Sequence, residues 1–261
     1  MEYGAYYIFG FLSGSFSSPN DLFVKFVNDP SELILLGRVT MAIVGVLTVW
    51  LTYFIGKTFY TKRIGFIAAF FLSVVFLAVK ESHYLKEGNL AAFFSLGCFY
   101  FILKIVQKAK PRDYVAAGIT LGLGIGAKFE SLLMLPIFLL GHLLANRRIA
   151  LKKLAYFFIG NIPFILLNFP MLFIDLNAYL ALFQHEFSLT TTNYPLHLLG
   201  RPIWWWFLNV HLPQGLGIPL FVASILGFII SFIIKKQNKN YLFIPLLPIV
   251  FLVTIDFWQQ F

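Results

Sequence analysis

What most limits the fold of this chain is a recurrence of long apolar runs, each near the length that crosses the hydrocarbon layer of a bilayer, separated by short connectors rich in basic residues. A crossing helix needs about 20 apolar residues, fewer where the bilayer thins or the helix is re-entrant. By that criterion spans are expected at 34–56, 64–79, 89–106, 114–127, 131–145, 154–174, 216–234 and 241–255. Hydrophobic residues fill 59% of the 261 positions and charged residues only 12%, more apolar surface than a water-soluble core of this size would bury. The expected fold class is all-α: a polytopic transmembrane bundle of about eight spans with outer-face loops and interfacial helices. A net charge of +9 raises the question of nucleic acid. The basic residues punctuate apolar runs rather than forming a patch on a polar surface, which argues against that partner.

The connectors carry an orientation. Lys57, Lys62 and Arg63 follow the first span, Lys104, Lys108, Lys110 and Arg112 the third, Arg147, Arg148, Lys152 and Lys153 the fifth, and Lys235, Lys236 and Lys239 the seventh. Every second connector is basic, and the excess of Lys and Arg assigns that side to the cytoplasm. Of the acids, only Asp113 falls there; Glu81, Glu87, Glu130, Asp175, Glu186 and the rest fall on the outer side, as do all histidines but His142. One long helix over 115–145 would send Arg147 to Lys153 outward and invert everything after them. Two short helices with Lys128 and Glu130 at an outer turn keep the alternation. The expected organisation is an outer or interfacial segment 1–33, helices over 34–174, a large outer loop 175–215 and further helices over 216–261. Within these, 22–27 is a half-apolar stretch suited to the interface, and Trp204, Trp205 and Trp206 suit the headgroup level.

Candidate chemistry gathers on the outer side. Lys80 to Asn89 packs titratable groups against a low-dielectric boundary, where a carboxylate or imidazole is able to serve as base, metal ligand or phosphate partner; the alternative is a solvated loop with snorkelling lysines. Glu81, His83 and Glu87 are the acid-base candidates, with Lys86 beside them. On a helical turn His83 and Glu87 would face the same way and share a proton or a divalent metal, a weak signal taken alone. Lys128 follows the Gly-rich stretch Gly118, Gly122, Gly124, Gly126, where a cation beside open backbone suits a lipid-linked phosphate; a local ion pair with Glu130 is the other reading. Arg201, before Pro202 and the tryptophans, is a second phosphate candidate. His185 and Glu186 are catalytic candidates or plain loop residues, Arg38 an interfacial anchor or functional charge, and His142 structural. The lone Cys98 supplies neither a disulfide nor a Cys-based metal site. No phosphate-binding glycine loop, dinucleotide fingerprint or nucleophile elbow is present, which leaves nucleotide-driven transport and serine hydrolysis without support.

The runs Gly37-Arg38-Val39, Tyr53 to Lys57, Gly65 to Ala69, Ser82-His83-Tyr84-Leu85-Lys86-Glu87 and Phe93-Phe94 occur in a particular order. They are followed by Gly122 to Gly126 with Lys128, Asn168-Phe169-Pro170 to Asp175, Leu212-Pro213 and Leu216-Gly217-Ile218-Pro219. Together they resemble the polyprenyl-phosphate-dependent glycosyltransferases of the GT-C fold, a group that includes protein O-mannosyltransferases and the aminoarabinose transferases of lipid A. The resemblance implies an inverting transfer of sugar from a polyprenyl-phosphate donor to a lipid, glycan or protein acceptor, on the outer or lumenal face; the plasma membrane is the expected location ahead of the endoplasmic reticulum. It implies an acidic base in a first outer loop that would precede Met1, with Tyr3 to Tyr7 similar to the later part of that loop. It also implies a continuation beyond Phe261, so that the chain reads as the middle of a longer protein. Where the family tends to carry an aspartate after its Ser-His pair, this sequence has Glu87 or Gly88, which leaves a metal at that place in doubt. A transporter or flippase of lipid-linked sugars is the rival expectation, and a non-catalytic scaffold a third. A transporter would place charges mid-membrane and show two related halves, and no such repeat is visible.

Overall fold

The computed structural model describes residues 18–84, 86–146, 150–168, 175–178, 180–181, 184–185 and 203–233. Among them the regular structure is entirely helical. A short helix, α1 (Pro19–Asn28), opens at Ser18, whose N–H donates to Asp21 Oδ2 at 2.9 Å; Pro19 suits the first turn because its missing N–H would have had no partner there. Phe23, Val24 and Val27 on α1 are exposed, the face expected of an interfacial helix.

Helix α2 (Ser31–Phe59) then runs 29 residues without a break. At about 1.5 Å per residue it exceeds the ~30 Å hydrocarbon thickness, so it tilts or projects into the headgroup region. Thr61 starts α3 (Lys62–Val74) by accepting the Ile64 N–H at 3.2 Å. The next span was expected to be one helix over 64–79. It is a bent pair, α3 and α4 (Phe76–His83), meeting at 59° around an extended Val75. Ser73 Oγ donates to Phe70 O at 2.7 Å, occupying the carbonyl that the Val74 amide would use, and such back-bonding bends helices.

Helix α5 (Gly88–Lys108) follows, then α6 (Pro111–Ala127), a 3₁₀ turn over Phe129–Leu133 and α7 (Met134–Ala145). Tyr114 at the start of α6 meets Phe138 and His142 toward the end of α7, so the two run antiparallel and the chain reverses at Lys128–Leu133. This is the pair of short helices that the charge alternation required. Helix α8 (Leu151–Asn168) packs along α6, and α6 in turn packs on α5. With lipid as apolar as leucine, close backbone approach rather than water exclusion drives such packing. A Cβ on Gly118 would strike the Phe157 carbonyl oxygen, and one on Gly160 the Val115 carbonyl oxygen. Phe138 and Phe157 stack at 3.7 Å beside them. At the same end Tyr114 Oη lies 2.9 Å from His142 Nδ1, Asn146 Nδ2 donates to Tyr114 Oη at 2.9 Å, and Lys153 Nζ donates to Asn146 Oδ1 at 2.8 Å, which gives His142 its structural place.

After the segment containing 175–185 come α9 (Ile203–Trp206), a π turn over Phe207–His211, α10 (Leu212–Leu216) and α11 (Ile218–Ile233). Among the described residues two helices, α2 and α5, are long and apolar enough to cross a membrane, and the bent α3–α4 pair makes a third if it is one span. Helices α6, α7, α8 and α11 fall on or beside the expected spans 114–127, 131–145, 154–174 and 216–234, while 241–255 lies outside the described residues.

Candidate functional site

The break at Val75 turns α4 so that its last polar turn leans on α2. A Cβ built on Gly45 would stand 2.5 Å from Ser82 Oγ and 3.2 Å from Ser82 Cβ, so a larger residue there would require Ser82 to shift. Ser82 Oγ donates to Ala78 O at 2.7 Å and accepts from Asn89 Nδ2 at 3.3 Å, which ties α4 to the start of α5. Lys80 to His83 are therefore helical, and the expected outer loop shrinks to the turn around 84–87.

Between α2, the α3–α4 pair and α5 lies a cleft of about 1300 Å³. Its lining joins Arg38, Glu81, His83, Lys86, Glu87 and Lys128 to the apolar Val39, Val46, Val49, Leu72 and Leu77, of which Val39, Val46 and Leu77 are exposed. Six side chains read separately from the sequence thus line one cavity, three basic, two acidic and one imidazole. α10 closes on this lining, since Gly215 sits against Leu77, its Cβ direction 3.3 Å from Leu77 Cδ2.

His83 Nδ1 lies 2.7 Å from Val79 O. A carbonyl only accepts, so Nδ1 carries the hydrogen, and in the neutral ring Nε2 holds the free lone pair. Helix α4 ends at His83, and Glu87 begins the next helix across a turn, so the same-face geometry of an i, i+4 helical pair is not formed. Among the described residues no group of three or more His, Cys, Asp or Glu stands ready to hold a metal ion. The donors present do not build a metal site, and no chemical step is assigned to one.

Lys128 enters from the opposite wall. Its N–H donates to Gly124 O at 2.8 Å, closing α6, and its carbonyl accepts from Ser131 N at 3.0 Å. Ser131 is buried and receives the Ser95 hydroxyl hydrogen at 3.2 Å, so the turn is fastened to α5. Lys128 Nζ pairs with Glu130 Oε1 at 2.9 Å, the ion pair that was one of the two readings of this turn. Both side chains are substantially exposed, 42% and 60%, and a pair so wet is worth about 0–1 kcal/mol. A phosphate bearing full charge is able to displace that carboxylate.

His185 is exposed and is not among the cleft residues; Arg201 and Glu186 lie outside the described residues. Sequence reasoning missed Gly45, whose only signal was a small residue inside an apolar run, and the apolar lining, which is indistinguishable in sequence from lipid-facing positions.

A family model described as dolichyl-phosphate-mannose-protein mannosyltransferase matches residues 23–173, more than half the chain and the whole of the polar cleft lining. Neither the curated proteins nor the solved structures contain a match.

Proposed function

The chain belongs to the dolichyl-phosphate-mannose-protein mannosyltransferase family, of GT-C type, and from that premise we propose that its cleft binds a polyprenyl-phosphate sugar and passes the sugar to an acceptor. Family membership makes it a glycosyltransferase and an integral membrane protein. The finer reading is an active face directed outward across the plasma membrane, in a bundle of about eight crossings where the shorter helices span by local thinning of the bilayer.

The observation that carries the reading is one cleft lined by two kinds of residue, the apolar Val39, Val46, Val49, Leu72 and Leu77 and the basic Arg38, Lys86 and Lys128. An isoprenoid chain suits the first kind and its phosphate the second. Transfer proceeds by attack of an acceptor oxygen on the anomeric carbon: the new glycosidic bond forms, the carbon–oxygen bond to the carrier phosphate breaks, and the acceptor proton passes to a base. Lys128, with Arg38 and Lys86, stabilises the negative charge left on the carrier phosphate. Glu81, His83 Nε2 and Glu87 are the cleft groups able to take the proton. Arg201, His185 and Glu186 stay as candidates within the expected outer loop 175–215.

The test is made on the full-length protein in sealed vesicles with radiolabelled polyprenyl-phosphate mannose. Label appearing in a lipid, glycan or protein acceptor supports transfer. Label that stays on the carrier and crosses to the other leaflet overturns it in favour of a flippase.

A further inference from the structure

A second recess, about 180 Å³, lies at the far end of α2, where Thr58 is about 30 Å along the helix axis from Arg38. Thr58 lines it together with Lys104, Lys108, Lys110, Arg112 and Asp113. Four cations face one carboxylate there. Asp113 is buried, and its Oδ1 stands 4.0 Å from Arg112 Nε, which leaves a surplus of positive charge around the space.

These cations stand on a fixed platform. The turn from α5 to α6 passes through Ala109 with φ 47°, a left-handed backbone that a residue with a Cβ keeps only when its surroundings hold it. Ala109 packs against the hydrophobic core, its N–H donates to Ile105 O at 2.9 Å, and Pro111 sets the first turn of α6. Lys108 and Lys110 flank that pinned residue. Lys104, one turn earlier, has its ammonium 4.6 Å from the Tyr100 ring centroid and 5.8 Å from that of Phe101, so its charge is held at the aromatic level of the helix end.

Topology alone explains why these residues are basic. It does not explain why four of them share one recess beside a left-handed turn: Lys62 and Arg63, on the same side, are not part of this lining. The size discriminates further, since pockets that enclose drug-sized ligands measure about 300–1,000 Å³. This space admits a phosphate group and is too small to enclose a nucleotide.

We propose that the recess binds the phosphate of an anionic phospholipid from the leaflet on the basic side. This is independent of the transferase reading, because no cleft residue takes part. Basic pockets between helices at this level recognise lipid headgroups through their phosphates.

The test places the full-length protein in nanodiscs of mixed phosphatidylcholine and phosphatidylglycerol and weighs the retained lipid by native mass spectrometry. Unaltered protein is expected to retain phosphatidylglycerol preferentially; equal retention of the two lipids overturns the proposal, however any variant folds. Lys108→Gln with Lys110→Gln is expected to weaken retention about fivefold per cation removed, and Lys108→Arg with Lys110→Arg to keep it. Lys62→Gln with Arg63→Gln is expected to leave it unchanged, and an equal loss in that pair would reduce the recess to general surface charge. Radiolabelled inorganic phosphate is the remaining arm. Saturable binding in phosphatidylcholine-only nanodiscs, lost with Lys108→Gln and Lys110→Gln, overturns the lipid as the source.

Discussion

At the scale of single residues, the cleft separates groups fixed in place from groups free to exchange partners. Lys128 combines the two: its backbone closes α6 and anchors the next turn, while its exposed ammonium pairs with Glu130. A hydrogen bond to a charged group is worth about 1.5–3 kcal/mol, so Lys128→Gln is expected to lower kcat/KM for polyprenyl-phosphate mannose by about tenfold to 100-fold. Steady-state kinetics in vesicles reads this, and an unchanged value would remove Lys128 from the phosphate site. Asp29 makes a smaller case outside the membrane. Its carboxylate accepts the Ser31 N–H at 3.0 Å at the head of α2, and hydrogen bonding with Ser31 holds its pKa below the usual carboxylate range. A depressed pKa means that the contribution is present above the unfolded-state value and is lost as pH falls through the folded one. Protection of the Ser31 amide against hydrogen exchange should therefore decline on acidification, and in Asp29→Asn that decline should vanish.

At the scale of elements, helix–helix approach is set by glycines whose neighbours are backbone atoms. Gly118 and Gly160 each face a carbonyl oxygen of the opposing helix, an obstacle unable to rotate away as a side chain would. Gly118→Ala and Gly160→Ala are each expected to cost about 1–3 kcal/mol, measured as a lowered unfolding midpoint in detergent. Gly45→Val acts differently, by pushing Ser82 and the polar end of α4 away from α2; a 1 Å misplacement is able to cost about 100-fold in turnover, so transfer should fall while the fold persists. The sequence announced most of these helices because apolar run length and basic connectors are one-dimensional signals. It also placed the α6–α7 reversal, since only that reversal kept Arg147 to Lys153 with the other basic connectors. The α3–α4 break was invisible, because Ser73-Val74-Val75 contains neither Gly nor Pro, and back-bonding like that of Ser73 also occurs at Thr40, Thr48 and Thr52 along the unbroken α2. The bend in turn shapes the cleft, so the grouping of Glu81, His83 and Glu87 was legible and their shared cavity with Arg38 and Lys128 was not.

At the scale of the whole molecule, two cavities of opposite character sit at opposite ends of α2, one mixing acids, a histidine and cations with apolar residues, the other dominated by cations. Such polarity has a consequence for insertion. By the positive-inside rule the recess end is expected in the cytoplasm and the cleft on the outer side, where a carrier would present its sugar. Orientation and activity are thus coupled, and a transferase cleft on the basic side would have no access to an extracytoplasmic acceptor. The measurement uses single cysteines in a Cys98→Ala background; native Cys98 is itself fully buried and offers little competing signal. His83→Cys should react in intact cells with a membrane-impermeant maleimide, whereas Arg148→Cys should react only after the membrane is opened. Both positions labelling from the same side would break the alternation at the α6–α7 reversal. Lys128 and Arg38 would then no longer share a side by topology, and the cleft would lose the claim to be one site.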